Sequence, residues 1–241
     1  MKTQNYFPVI LLSSLLITAF TCKSPTSIEE KHTEPDTTSH NFTWQTFEFG
    51  QHSSSVLYDV AIIDENNIWA VGEIFMNDSL GNPDPTYYNA IHWDGIEWMP
   101  KRILYNGGTW SIKSVFAFSS NDIWFSAFVR YLNGQFVELP IPGILMGWGV
   151  NKIWGSSSND LYVVGNGGNI AHYNGSQWTK IESGTTLHLT DIYGDDAGNV
   201  YAAGVNIPEV NGVVLEGNTN QFTVKITGEI IDESELFISK L

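Results

Sequence analysis

Apolar positions along most of this chain alternate in short runs, and turn-forming residues interrupt them every few positions. The clearest stretch is residues 161–182, LYVVGNGGNIAHYNGSQWTKIE. Here 161–165, 169–173 and 176–182 alternate, broken by Asn166-Gly167-Gly168 and by Asn174-Gly175. Period-two alternation sends every second side chain to one face of a strand. An Asn-Gly pair between such runs is a hairpin signal, because both residues tolerate positive φ. The stretch predicts an antiparallel meander. No sustained helical period occurs outside the N-terminus.

The same phrase recurs. An aliphatic–aromatic pair opens a strand at Ile68-Trp69, Ile123-Trp124, Leu161-Tyr162, Val200-Tyr201 and Leu236-Phe237, each after a turn rich in Asp, Asn and Ser. Successive aromatics lie 55, 38, 39 and 36 positions apart. A second marker, a turn followed by an aromatic, closes the copies: Asp94-Gly95 before Trp98, Asn133-Gly134 before Phe136, Asn174-Gly175 before Trp178, and 218–220 before Phe222. A period of about 40 residues with four strands per copy is the signature of a β-propeller, in which each blade buries a face that it cannot bury alone. In the turns, Asp64, Asp122, Asp160, Asp196 and Asp232 are expected to cap the backbone by local hydrogen bonds.

The expected fold class is all-β: a propeller of about four to five four-stranded antiparallel blades, incomplete or degenerate, over residues 41–241. Blades are expected at 56–103, 109–141, 150–183 and 187–227. Residues 41–50 align with 175–184, so Trp44 falls on Trp178, and 41–50 is expected to be the outer strand of a last blade begun by 228–241. Two departures bear on closure. The second copy is three residues shorter than the third where the Gly-rich turn should be, and the last copy offers no third strand. Either the ring closes with a degenerate fifth blade, or the chain is a shortened relative of a larger propeller. The balance falls to the second.

The phrases NNIWAVGE, NDLYVVGNGGNIAHYNGSQW and AIHWDGIEW resemble β-propeller repeat lipoproteins of Bacteroidetes-type bacteria, some of which are labelled glucosyltransferase. More distantly they are similar to photosystem-II assembly-factor repeats and to the Asp-box repeats of sialidases. Residues 105–110, YNGGTW, echo the G-x-T-W ending of those repeats without the Asp. The resemblance covers residue 41 to the C-terminus and implies a propeller. It is specific to the repeat and carries no active site with it.

Composition narrows the function classes. Aromatic residues make up 13% of the chain and charged residues 15%, with 11 Lys plus Arg against 26 Asp plus Glu, a formal charge of −15. Nucleic-acid binding calls for a basic stripe that displaces counterions, and none is present in the sequence. The N-terminus reads as a targeting segment: Lys2, then the apolar run 8–20, too short to span a bilayer and suited to a signal peptide. Cys22, the single cysteine, follows directly, and residues 19–22 resemble a bacterial lipobox. The expectation is a signal peptide over 1–22 with lipidation at Cys22, a flexible tether over 23–40, and an exported lipoprotein at the outer membrane or cell surface.

Candidate chemistry is sparse. One loop is unusually long: 73–88, EIFMNDSLGNPDPTYY, stands where the third copy has only 166–168. Long loops on a repeat scaffold often bind, and adjacent tyrosines suit a sugar or a peptide. Asp78, Asp84, Tyr87 and Tyr88 are therefore candidate binding residues, joined by Tyr105 and Trp148 from the neighbouring inter-blade segments 105–109 and 146–148. His92 and His172 occupy equivalent third-strand positions, which marks them as repeat residues, and no metal site or cofactor is expected. No D-x-D, G-x-S-x-G, P-loop or H-E-x-x-H is present in the sequence. The expected function is a non-catalytic binding or scaffold module for a glycan or protein partner. Two alternatives remain: a carbohydrate-active enzyme (glycoside hydrolase or glucosyl transfer) working through loop carboxylates, and a decayed or truncated paralogue.

Overall fold

Alternation of apolar side chains becomes nineteen strands in the computed structural model, which describes residues 45–126, 128–195, 197–206, 211–232 and 235–240. The expected signal peptide over 1–22 with Cys22, the expected tether over 23–40, and Trp44 lie outside the described residues. The chain divides into a unit of Met1–Thr46, of which only Gln45 and Thr46 are described, both exposed, and a unit of Phe47–Leu241.

The second unit is a β-propeller built of four blades, each an antiparallel sheet whose strands follow chain order. Blade I holds β1 (Val56–Asp64), β2 (Asn67–Ile74), β3 (Tyr88–Trp93) and β4 (Trp98–Lys101). A two-stranded hairpin follows, β5 (Leu104–Tyr105) with β6 (Gly108–Thr109). Blade II holds β7 (Val115–Ser119), β8 (Asp122–Phe125), β9 (Val129–Leu132) and β10 (Gln135–Glu138). Blade III holds β11 (Val150–Ser157), β12 (Asp160–Gly165), β13 (Ile170–Tyr173) and β14 (Trp178–Ile181). Blade IV holds β15 (His188–Gly194), β16 (Val200–Asn206), β17 (Asn211–Gly217), β18 (Phe222–Asp232) and β19 (Glu235–Lys240).

Both ends differ from expectation. Residues 228–240 do not begin a new blade: β18 runs on for eleven residues as the outer strand of blade IV, and β19 pairs with its far half as a fifth strand. The described part of 41–50 forms no strand. Instead Phe47 and Phe49 lay their rings against Trp98 of blade I at 5.8 and 5.6 Å, and Phe47 also meets Trp93. Thr109 belongs to the inter-blade hairpin, so blade II starts later than 109.

Register explains the recurring aromatic. Trp69, Trp124, Tyr162 and Tyr201 each sit opposite the same place on their inner strand, facing Ala61, Phe116, Trp154 and Tyr193. Because side chains alternate, one face of each blade looks to the preceding blade and the other to the next. Three apolar clusters fill the junctions: Trp69, Val71, Ile123 and Phe125 between I and II; Trp124, Ile153, Leu161 and Val163 between II and III; Tyr162, Val164, Leu189 and Ile192 between III and IV. Gly194 is fixed by this packing, since a Cβ there would sit 2.0 Å from the Trp154 ring.

A polar node stitches the inner strands. Asp59 of β1 accepts hydrogen bonds from Ser114 Oγ (2.9 Å) and the Val115 N–H (3.1 Å) of blade II, and pairs with Lys152 Nζ of blade III at 2.7 Å. Ser114 Oγ in turn accepts the Ile153 N–H (3.0 Å). A mostly buried carboxylate is tolerable here because several donors and a cation surround it.

The outer turns use two designs. Asn133-Gly134 has positive φ at both residues, as the Asn-Gly rule expects. At Asp94, Asn174 and Asn218 the leading side chain instead accepts two N–H groups from two and three residues on, and in the first two of these turns only the glycine takes positive φ. The inner turns also depart from the expected capping. Asp64 caps the Asn66 N–H, but Ser119 and Ser157 do so in blades II and III. Asp122 and Asp160 reach across strands to Arg130 and His172. Asp195 caps the turn where Asp196 was expected to; Asp196 and the Asp232 side chain lie outside the description.

Candidate functional site

Loops joining blades, and loops joining second to third strands, gather on one face of the propeller. Two of them, the connections before and after blade II, wall a cleft of about 540 Å³. One wall is the β5–β6 hairpin. Its turn, Asn106-Gly107, has φ of 49° and 71°, a conformation that Asn and Gly tolerate at low cost. The hairpin base is set by Asn89, fully buried on β3: its amide donates to the Ile103 carbonyl (2.8 Å) and the Trp110 carbonyl (2.9 Å), and its oxygen accepts the Ile103 N–H (2.8 Å). The hairpin tip is tied to blade II where the Asn106 N–H donates to Glu138 Oε2 at 3.0 Å.

The other wall is the connection from blade II to blade III. A 3-10 turn, Gly143–Leu145, buries Leu145 and leaves Met146 exposed. Between the walls the shortened loop of blade II brings up Phe128, held at φ 58° with its carbonyl accepting the Leu139 N–H. A left-handed phenylalanine is uncommon and marks a loop whose shape its surroundings dictate.

The lining is apolar and aromatic. Tyr105, Trp110, Phe128, Leu145 and Met146 line it, with Lys113 as its cation. Trp110 is 59% exposed, and its indole N–H donates to the Tyr105 carbonyl at 3.1 Å, which fixes the ring plane. Among the described residues the lining holds no carboxylate, imidazole or thiol, so the arrangement offers contact surface and orientation and no acid–base pair.

Of the residues picked out by sequence, Tyr105 lies in this cleft. Trp148 does not line it; its ring packs on the cluster between blades II and III. The long loop turns out to be fastened shut. Asp78 accepts the Leu80 and Asn82 N–H groups, both at 2.9 Å. Asp84 pairs with Arg102 at 2.6 Å and accepts the Thr86 N–H; those contacts, the backbone one first, hold its carboxyl below the usual range. The same Arg102 guanidinium covers the Tyr88 ring at 4.1 Å. Tyr87 packs its ring at a tilt against Phe75, and its phenol, pushed up chiefly by burial, reaches toward the Thr109 carbonyl. Prolines and paired side chains make this loop a buttress for the β5–β6 hairpin. Trp110 and Asn89 were not singled out: Trp110 read as repeat grammar, and an Asn in a strand gives no signal of its own.

A second recess, about 530 Å³ between blades III and IV, has Asp160 and Asp195 on its walls. Ser156 and His172 both bond to Asp160, so the carboxylate stands between hydroxyl and imidazole and no nucleophile–base contact exists. Asp195 accepts from the Asn199 side chain and from the Asn199 and Ala197 N–H groups, which lowers its pKa, the opposite of what a general acid needs. The Asp160–His172 pair repeats as Asp122–Arg130 and Asn67–His92, each partner lying over the marker aromatic. It is repeat architecture. No three described His, Cys, Asp or Glu residues are grouped to hold a metal ion.

No family model matches the chain. Over 85 residues it is 34% identical to the immune protein Tsi7 of Pseudomonas aeruginosa, a match that takes in 35% of this chain and 26% of that protein. The structure of YCF48 bound to D1 peptide superposes with a TM-score of 0.53 at 14% identity, over 77% of this chain and 63% of that one. The extracellular domain of a putative hybrid two component system from B. thetaiotaomicron gives 0.46 at 17% identity, over 76% of this chain and 30% of that one. The chain thus spans about a quarter of the curated relative and under two thirds of the YCF48 chain. The likeness to a photosystem II assembly factor holds at the level of fold.

Proposed function

We propose that this chain is an exported, lipid-anchored propeller that binds a segment of a protein partner in the cleft between the two connections that flank blade II and catalyses no reaction. The observation that carries the reading is the lining of that cleft: Tyr105 and Trp110 on a hairpin held by Asn89 and Glu138, facing Met146 on the connection that leaves blade II. Aromatic and Met surfaces on a preorganised frame bind apolar side chains at small entropic cost. A glycan would call for more amide and carboxylate partners for its hydroxyls than this lining supplies. A propeller of the same fold holds a peptide in the YCF48 complex, which supports the reading by fold-level analogy alone. The anchor rests on Cys22 behind the apolar run 8–20.

Panning a displayed peptide library and a glycan array against the full chain tests the ligand class. Enriched peptides with apolar anchors are expected, and Trp110→Ala should weaken them by about tenfold or more, as for an aromatic hot spot. Glycan enrichment in their place would refute the peptide reading. Turnover that Asp84→Asn abolishes with binding intact would refute the non-catalytic one. For the anchor, Cys22→Ser should move the chain out of the membrane fraction.

A further inference from the structure

The three junctions between the described blades obey one rule, and blades I and IV each carry one half of a fourth junction. Asp59, Lys152 and Asp191 occupy the same place on the inner strands of blades I, III and IV, opposite Val71, Val164 and Ala203, and Ser114 takes that place just ahead of β7 in blade II, opposite Ser126. At the first junction Asp59 accepts the Val115 N–H of the next blade, and at the second Ser114 accepts the Ile153 N–H of the next. The side chain at this place caps the following blade. Lys152 cannot accept, and there the Ile192 N–H turns to its own Asp191. Asp191 restores the carboxylate of Asp59, no described blade lies beyond it, and it is exposed.

The apolar halves tell the same story. Trp69, Trp124 and Tyr162 are buried by the blade that follows each; Tyr201, their equivalent in blade IV, is 39% exposed, and Tyr193 beside it is 68% exposed. At the other end, Leu57 and Val60 of β1 match Val150 and Ile153 of blade III and Leu189 and Ile192 of blade IV. Ile153, Leu189 and Ile192 are buried wherever a blade precedes them, whereas Val60 is 53% and Ile62 71% exposed. Phe47 and Phe49 cover only the outer part of that face, over Trp93 and Trp98, and leave β1 open.

We infer that two copies of this chain join head to tail, the outward face of blade IV in one copy receiving β1 of blade I in the other. A second copy supplies cover for the open faces of blades I and IV, because donor face and acceptor face are the two sides of one repeating interface. Two such junctions related by a twofold axis place eight blades in one ring, within the usual four to eight of propellers, and closure stops the heterologous contact from running on into a filament. The inference is independent of the cleft beside blade II.

Sedimentation and light scattering of the full chain at micromolar concentration test it. The expected mass is twice the 26.9 kDa of one chain. Because each chain is formally −15, added salt should tighten the pair. Ile62→Asp and Tyr201→Asp alter exposed residues, one at each end, and each variant alone should run as a monomer with its thermal unfolding little changed. Mixed together they retain one intact junction, and a dimer should return. A monomeric parent chain would overturn the inference. So would a dimer that Tyr201→Asp leaves intact, since that would mean a symmetric contact between two blade I faces.

Discussion

Tyr162 and Tyr201 hold one position in successive blades, each opposite an aromatic of its own inner strand, and they live in different surroundings. Tyr162 is only 4% exposed, sealed by Leu189, Ile192 and Val200 of the next blade. Tyr201 has the same strand register, and no described blade lies over it. The comparison separates two things that a repeat sequence writes with one residue. The aromatic is chosen for the neighbour, and the strand forms whether or not the neighbour is present. Burial, and with it most of the stabilisation, is a property of the junction.

The largest test of that separation is truncation at both positions. Tyr162→Ala should cost about 3 kcal/mol or more of unfolding free energy, as for other buried aromatics. Tyr201→Ala should cost below about 1 kcal/mol, the range of partly exposed sites. Denaturant unfolding at dilutions that keep chains apart measures both. Equal losses would mean that something covers blade IV as fully as blade IV covers blade III.

The polar node offers the same contrast on a smaller scale. Asp59→Ala leaves the Ser114 hydroxyl, the Val115 N–H and the Lys152 ammonium without their acceptor, a loss of about 2–3 kcal/mol. Asp191→Ala removes one hydrogen bond to the adjacent Ile192 N–H and should cost about 0.5 kcal/mol. Double replacement of Asp59 and Lys152 sharpens the point: a charge without a partner is worse than none, so the Lys152→Met change should recover part of the Asp59→Ala loss.

Much of this was legible in the sequence, and the gaps have physical reasons. Aliphatic–aromatic pairs located the second strands because alternation ties identity to face. The fate of 222–240 was not legible, because a run such as FTVKITGEIID alternates equally well as one long strand or as two strands meeting near Gly228. The long loop looked like a binding element from its tyrosines and acids. What sequence cannot display is that a single distant cation, Arg102, engages Asp84, the Thr86 carbonyl and the Tyr88 ring together. The cleft was legible in part: segments 105–109 and 146–148 both read as contact surface, but the walls, drawn from 105–113, from Ser126 with Phe128 and from 141–150, become neighbours only through packing.

A last test reads the cover over Tyr162 through its proton. Its phenol is pushed up to about 12, first by burial and then by the negative charge of Asp160. In the unfolded chain a tyrosine titrates near 10, so between about pH 10 and 12 the unfolded state gives up a proton that the folded state keeps. Fewer protons bound in the unfolded state mean that stability falls as pH rises through this window, and the contribution is whole below it. Tyr58 and Tyr87, also raised chiefly by burial, add to the same slope. Tyr162→Phe should therefore flatten the alkaline loss of stability without abolishing it, and the step in tyrosinate absorbance that accompanies unfolding should shrink by one residue's share. An unchanged slope would mean that solvent reaches the phenol, and that the junction between blades III and IV is looser than its apolar packing requires.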